Sequence, residues 1–272
     1  MRMLVVGGSG FLGREVVLRS SAAGHRVAAT YLTRRADVAG ADWCALDVRD
    51  RGRVAALVAA VRPDVVVNAA YRQSDWESTA DGAAHVAVAA AEHGARLVHV
   101  SSDAVFSGSA IHYAETAVPD PVSPYGAAKA AAERAVRAVS PDAVIARTSL
   151  IIGDGGSAQE RRVHALAAGE ATGVLFTDDV RCPVHVRDLA AALVELASSH
   201  HGGVHHVAGP DAVTRHELGV LIARRDGLDP ALLRPGRRSD TDLPGPLDVR
   251  LDCTVTRARL RTDLRGVRSF LG

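Results

Sequence analysis

The stretch "VVGGSGFLG", residues 5 to 13, decides how the rest of the chain is read. It closes an apolar, β-branched run, "MLVVG" at 3 to 7, and opens an amphipathic one, "FLGREVVLRSSAAG" at 11 to 24, so its glycines fall between a strand and a helix. Gly7, Gly10 and Gly13 stand there in G-x-x-G-x-x-G spacing. Glycine permits a tight turn and lets backbone N–H groups approach a pyrophosphate, whose charge the helix N-terminus favours. In that context the loop predicts a dinucleotide site, with Gly7, Ser9, Gly10, Phe11, Leu12 and Gly13 against the cofactor.

Outward from the loop, short β-branched runs alternate with alanine-rich segments. "RVAATY" (26 to 31), "WCALD" (43 to 47), "DVVVNAA" (64 to 70), "ARLVHVSS" (95 to 102) and "DAVIARTSL" (142 to 150) read as strands. "RGRVAALVAAV" (51 to 61), "GAAHVAVAAAEHG" (82 to 94), "VRDLAAALVELASS" (186 to 199) and "TRHELGVLIARR" (214 to 225) read as helices, the last with Thr214 and Glu217 in capping-box spacing. Apolar runs without alternation imply strands covered on both faces, hence a parallel sheet. The fold class expected is α/β, a doubly wound parallel sheet (Rossmann) with a smaller C-terminal substrate lobe. Residues 1–150 form the dinucleotide-binding domain in this reading, and 151–272 mainly the lobe, with 186–208 returning to the core. "IIGDGGSAQE" (151 to 160) reads as a glycine-rich loop, and 226 to 250 as a loop rich in Pro, Gly and Arg.

Composition narrows the function. The 272 residues are 47% hydrophobic but only 4% aromatic, so Ala, Val and Leu build the core and every tyrosine invites a question. A net charge of +1, with arginines interspersed among acids, argues against a nucleic-acid partner. Cys44, Cys182 and Cys253 are odd in number and far apart, which suggests neither a disulfide framework nor a metal site. The scattered His185, His205 and His206 give no metal pattern either, and no metal is expected. With no signal-peptide-like or membrane-spanning run, the expectation is a cytoplasmic protein acting on a small molecule, without a membrane partner.

An NAD site usually has an acid at the end of the second strand to hold the ribose 2′-hydroxyl. Here that strand runs into "ATYLTRRAD", where Tyr31 is followed by Arg34 and Arg35 and no acid stands at the strand end. A 2′-phosphate suits such a site better, so NADPH (NADP) is expected over NADH. Asp47 and Val48 after the third strand are candidates to face the adenine, and Asn68, Ala69 and Ala70 close the fourth.

In "PYGAAKAAAER", residues 124 to 134, Tyr125 and Lys129 are four apart and share one helix face. A lysine ammonium near a phenol favours the phenolate, which suits proton exchange with a carbinol. Ser102 and Asp103 sit at the carboxyl end of a strand, the edge where open α/β sheets bind ligands.

Together these residues resemble the extended short-chain dehydrogenase/reductase superfamily and, within it, the dTDP-4-dehydrorhamnose reductase-like group that modifies sugar nucleotides. The resemblance rests on the glycine loop, "NAA" at 68 to 70, "LVHVSSDAVFSG", "YAETAVPDPVSPYGAAKAAAE", "RTSLIIG", "PVHVRDLAAAL", "GVHHVAG" and "PLDVRLD". It implies Tyr125 as general acid in a ketone reduction, Lys129 as its modulator and a donor to the nicotinamide ribose, and Ser102 on the substrate carbonyl with Asp103 beside it. It also implies a nucleotide-linked 4-keto-deoxysugar or a related biosynthetic ketone as substrate, and a homodimer. The alternatives are a non-catalytic NADP-binding regulatory subunit and an NAD-dependent sugar epimerase.

Several positions depart from the group's pattern. Ala104 stands where a tyrosine usually follows Ser-Asp, Thr79 where a helix asparagine is often found, and Gly245 where an arginine often precedes "PLDVRLD"; the Asn-Phe pair after the "GDGG" loop is absent. Arg161, Arg162, Arg181 and Arg250 are candidates to meet a phosphate-bearing substrate. Cys182 and Trp43 read as structural, and Trp76 as a packing residue near the cleft.

Overall fold

The computed structural model describes residues 1–272. The apolar runs become seven sheet strands: β1 (Arg2–Val6), β2 (Arg26–Tyr31), β3 (Ala41–Ala45), β4 (Val65–Asn68), β5 (Arg96–Ser102), β6 (Val144–Thr148) and β7 (Gly203–Val207). Their order is β3-β2-β1-β4-β5-β6-β7, every neighbour parallel, so the doubly wound α/β fold read from the sequence is the fold observed. The winding reverses between β1 and β4, which opens a crevice beyond their carboxyl ends.

The helices are α1 (Phe11–Ala22), α2 (Arg51–Val61), α3 (Gly82–Glu92), α4 (Pro124–Val139), α5 (Ala158–Ala167), α6 (Val186–Ser198), α7 (Arg215–Arg225), α8 (Thr254–Arg259) and α9 (Val267–Leu271). Met3 and Val5 of β1 pack with α1 and α6, while Leu4 and Val6 pack with α2 and α3. A strand buried on both faces needs apolar residues at every position, which is why its sequence does not alternate. Gly24, at φ +78°, ends α1 in the left-handed conformation that glycine tolerates best. No helix is long and apolar enough to cross a membrane.

Beyond residue 150 a third cluster, including Val163, Leu218, Ile222, Val267 and Leu271, binds α5, α7 and α9 into a smaller lobe. The chain leaves this lobe once: α6 packs on α1, and β7 extends the main sheet beside β6. The stretch 151 to 160 is more regular than its glycines suggest. Ile151–Ile152 pairs with Val184–His185, and α5 starts at Ala158 behind a complete capping box of Ser157 and Glu160. Buried Glu160 also accepts from Gly155 N at 2.9 Å, so the carboxylate that caps the helix pins the loop before it. Thr214 accepts from Glu217 N at 3.0 Å, but the Glu217 carboxylate meets Arg268 at 2.5 Å, so only half of that capping box forms. A π-helical turn, Glu77–Asp81, carries the helical path into α3 five residues earlier than the sequence suggests. The third strand lies at 41–45, two residues before its expected position.

Candidate active site

Two adjoining chambers open at the carboxyl ends of the strands, one of about 640 Å³ and one of about 280 Å³, sharing Gly10, Ala69 and Tyr71 as walls. The glycine loop shapes both. Gly7 has φ +81°, and a β-carbon on it would lie 2.7 Å from Ala70 N; one on Gly13 would lie 2.1 Å from Gly7 O, so each glycine lets two backbones touch. Gly10 differs, because a β-carbon there would meet nothing closer than Gly7 O at 3.3 Å. It faces the chambers, caps α1 without a side-chain hydrogen bond, and no acid occupies the first turn. The N–H groups of α1 are thus open to an anion laid across Gly10, and the loop fits a dinucleotide pyrophosphate.

Ser9, Tyr31, Asp47, Val48, Ala69 and Ala70 line the smaller chamber, and Phe11, Leu12 and Gly13 line the larger. Asn68 is buried behind the wall, its Oδ1 accepting from Ala70 N at 3.2 Å, so it shapes the turn rather than the surface. Asp47 is gripped by Arg49 (Nη2 to Oδ2 2.6 Å), which holds its carboxyl below the usual carboxylate range. Arg34 and Arg35 are exposed on the loop beyond Thr33 and lie outside the lining. The cation that does line this chamber is Arg72, fixed by Thr79 Oγ1, which donates to Arg72 O at 2.7 Å. Nothing in the sequence singled out Arg72.

The larger chamber brings Ser102, Asp103, Tyr125 and Lys129 together. Ser123 caps α4, accepting from Gly126 N at 3.1 Å, and Pro124 supplies a first-turn residue that needs no donor. A β-carbon on Gly126 would fall 2.1 Å from Ala104 O, so only glycine lets α4 press against the turn at Asp103–Val105. Ser102 caps that same turn, accepting from Ala104 N at 3.2 Å, and this contact brings its hydroxyl to the Tyr125 phenol. Burial raises the phenol pKa far above its ordinary value; Tyr71 adds to the rise, the Ser102 hydrogen bond opposes it, and Asp103 adds a further increment. Lys129 is 3% exposed, donates from Nζ to Val100 O at 3.0 Å and lies 4.9 Å from the centre of the Tyr71 ring. Burial pushes its pKa down to about 8, with Glu133 opposing. Asp103 is already committed: it accepts from Ser149 Oγ at 2.6 Å and Ser102 Oγ at 3.2 Å, and Arg181 Nε is 3.7 Å away.

Arg161, Arg181, Arg215 and Arg238 also line this chamber, Arg181 next to Asp103. Arg162 and Arg250 lie elsewhere, the first near Val174 O at 3.5 Å and the second paired with Asp248 at 2.8 Å. Arg215 and Arg238 escaped the sequence reading because one opens a helix and the other a short 3-10 turn, Arg238–Asp240, inside the stretch read as loop. A β-carbon on Gly245 would sit 2.3 Å from Arg238 Nη2, so the Arg238 guanidinium occupies the space a side chain at 245 would need.

Of the remaining candidates, all but the exposed Trp76, whose packing reading fails, are buried or partly buried within the fold. His185 Nδ1 accepts from Arg187 N at 3.2 Å to cap α6, and His205 and His206 are buried, His206 pushed down to about 4 mainly by that burial. Burial raises Cys182 to about 11, which keeps it a thiol. Trp43 packs on the main core, while Trp76 is half exposed and outside the chamber lining.

The model of a family described as "RmlD substrate binding domain" matches residues 1–271. A dTDP-4-dehydrorhamnose reductase of Streptomyces griseus is 34% identical over 86% of this chain and 79% of its own length. A dTDP-4-keto-6-deoxy-D-glucose reductase of Streptomyces niveus is 32% identical over 86% of this chain and 82% of its own. Among solved structures, a dTDP-4-dehydrorhamnose reductase of Bacillus anthracis in complex with NADP superposes with a TM-score of 0.85 at 22% identity, covering 99% of this chain and 96% of that one, a likeness of fold.

Proposed function

The chain belongs to the family of the RmlD substrate binding domain, an extended short-chain dehydrogenase/reductase family, and from that premise we propose that it reduces the keto group of a nucleotide-linked 4-keto-deoxysugar with NADPH. One observation carries this reading: a single chamber is lined both by Ser102, Tyr125 and Lys129 and by four arginines. A substrate suited to that lining carries both a ketone and negative charge. Asp103 is the only carboxylate among the lining residues.

The open N–H groups at the start of α1 would hold the cofactor pyrophosphate against Gly10, and Lys129 Nζ would donate to the nicotinamide ribose. When bound, the nicotinamide supplies the hydride that the ketone carbon gains. The chain's own residues manage the oxygen. Tyr125, a phenol at neutral pH, gives its proton to the carbonyl oxygen as negative charge develops there. Ser102, its one hydroxyl proton turned from Asp103 Oδ1, donates to the same oxygen, and the Lys129 ammonium offsets the phenolate left behind. The product is the carbinol. Arg72 at the smaller chamber, with Arg34 and Arg35 on the adjoining loop, favours a 2′-phosphate and hence NADPH over NADH. The test is NADPH consumption by wild type and Tyr125→Phe against nucleotide-linked 4-keto-deoxysugars and unrelated cyclic ketones. Turnover of the nucleotide-linked ketones that collapses in the variant is expected, and equal turnover by both proteins would overturn the assignment.

A further inference from the structure

Of the 32 lysine and arginine residues in the chain, Lys129 is the only lysine. Below it on α4 lies a buried ion pair that no step of the proposed reduction uses. Glu133, one turn further along the same helix face, is fully buried, and Arg147 of β6 is 1% exposed. The contact is bidentate: Arg147 Nε donates to Glu133 Oε1 at 2.9 Å and Nη2 to Oε2 at 2.8 Å. Ser101 Oγ donates to the same Oε1 at 2.6 Å, and the half-exposed Arg137 lies 3.9 Å from Oε2. Arg147 Nη1 also donates to Ala117 O at 3.1 Å and Glu115 O at 3.5 Å, in the segment that leads to α4. The Glu115 carboxylate points elsewhere, to His206 N at 3.1 Å and the Thr256 hydroxyl.

These contacts fasten α4 to β5 at two levels. Lys129 Nζ meets Val100 O and Glu133 meets Ser101 Oγ, on consecutive residues of one strand, and the next residue is Ser102, whose hydroxyl meets the Tyr125 phenol. Facing Lys129 are the Tyr71 ring, Tyr125 on its own helix face and His99 of β5, with Glu133 below it. His99 is kept neutral, by burial first and by the lysine's own charge second. Asp103, beyond Tyr125, is taken up by Ser149 and Arg181. Glu133 is therefore the charge that bears on Lys129 most directly, and Arg147 offsets it.

We propose that Glu133 and Arg147 are positioning residues for the reduction: as a mutually neutralised pair they lock α4 against β5, so that Lys129 and Tyr125 keep their places beside Ser102, and they leave the Lys129 ammonium with little net charge beneath it. This rests on the reading that Tyr125 and Lys129 serve a ketone reduction, whereas the pair's electrostatic effect on Lys129 exists without any substrate. Each partner left alone acts on Lys129 with opposite sign. Without Glu133 the Arg147 guanidinium is an unmatched positive charge, which disfavours the ammonium; without Arg147 the carboxylate is unmatched, which favours it.

The test uses the full chain and reads Lys129 directly, because isotope-labelled lysine gives a single side-chain NMR signal in a chain with one lysine. In wild type its titration midpoint is expected near pH 8. Glu133→Gln moves that midpoint down and Arg147→Met moves it up, each by about half a pH unit or more. A merely structural pair would lower stability in both variants without this divergence. The double variant Glu133→Gln/Arg147→Met buries neither charge alone, and it carries the test if a single variant does not fold. Its midpoint stays near the wild-type value while kcat for a nucleotide-linked ketone falls about tenfold at unchanged KM, since the lock on α4 is gone. Midpoints that stay put in both single variants, or move the same way, overturn the proposal, and so does wild-type kcat in the double variant. The titration needs no substrate, so opposite shifts with no NADPH turnover on any ketone would leave the pair's action on Lys129 and remove the reductase reading. Tyr125-dependent turnover with unmoved midpoints would do the opposite.

Discussion

The two walls of the large chamber are built in opposite ways. The wall proposed for catalysis comes from two regular elements, the end of β5 and the first turns of α4, and its polar residues fall within 102–129. Its cation, Lys129, is buried against one backbone carbonyl. The arginine wall gathers residues 161, 181, 215 and 238 from separate segments, three of them sharing Asp179. One wall is a fixed constellation suited to chemistry, the other an electrostatic surface whose members are held by a counter-ion. The difference teaches that rate and affinity should separate between the walls.

The sharpest way to break that comparison is Tyr125→Phe. Removing the proton donor should cost about a hundredfold or more in kcat while leaving NADPH affinity, measured by fluorescence titration, within about twofold. Arg215→Met should do the reverse, raising KM for a nucleotide-linked ketone by about ten- to a hundredfold with kcat little changed, since the lost contact serves ground and transition states alike. A large kcat defect in that protein would mean the walls are not separable.

A pH profile sharpens the first wall. Burial pushes the Lys129 pKa down to about 8, so it carries its charge below that pH and loses it above. The kcat/KM for reduction should therefore fall above pH 8, by about fivefold between pH 8 and 9, and a flat profile there would exclude Lys129 as the titrating group. The smallest effect expected is at the cofactor end. Arg72→Ala should raise KM for NADPH by about threefold and leave that for NADH unchanged, because a solvent-screened cation contributes about 1 kcal/mol or less to a phosphate contact.

How much of this was legible in the sequence depended on whether neighbours in the chain were neighbours in the site. The sheet was readable because the strands are buried on both faces and so apolar throughout. The glycine loop and the Tyr125–Lys129 pair were readable because a turn and a helix convert fixed spacing into fixed geometry. Helix α5 was hidden behind Gly153, Asp154, Gly155 and Gly156, and only Glu160 and Val163 of its residues are fully buried, too few to give a periodic signal. Arg72, Arg215 and Arg238 had no local signature at all. Their roles depend on Thr79 across a turn and on Asp179 across the lobe, contacts that no spacing encodes. Asn68 had the right position but the wrong depth, since its side chain serves the turn at Ala70.

The central claim is a chamber with a ketone end and an anion end, and the most direct measurement is the wild-type rate of NADPH oxidation on one 4-keto-6-deoxysugar, nucleotide-linked and free. The account predicts that kcat/KM for the nucleotide-linked sugar exceeds that for the free sugar by at least about a hundredfold, the worth of two charge-assisted contacts. Equal values for the two, or turnover of the free sugar alone, would contradict it.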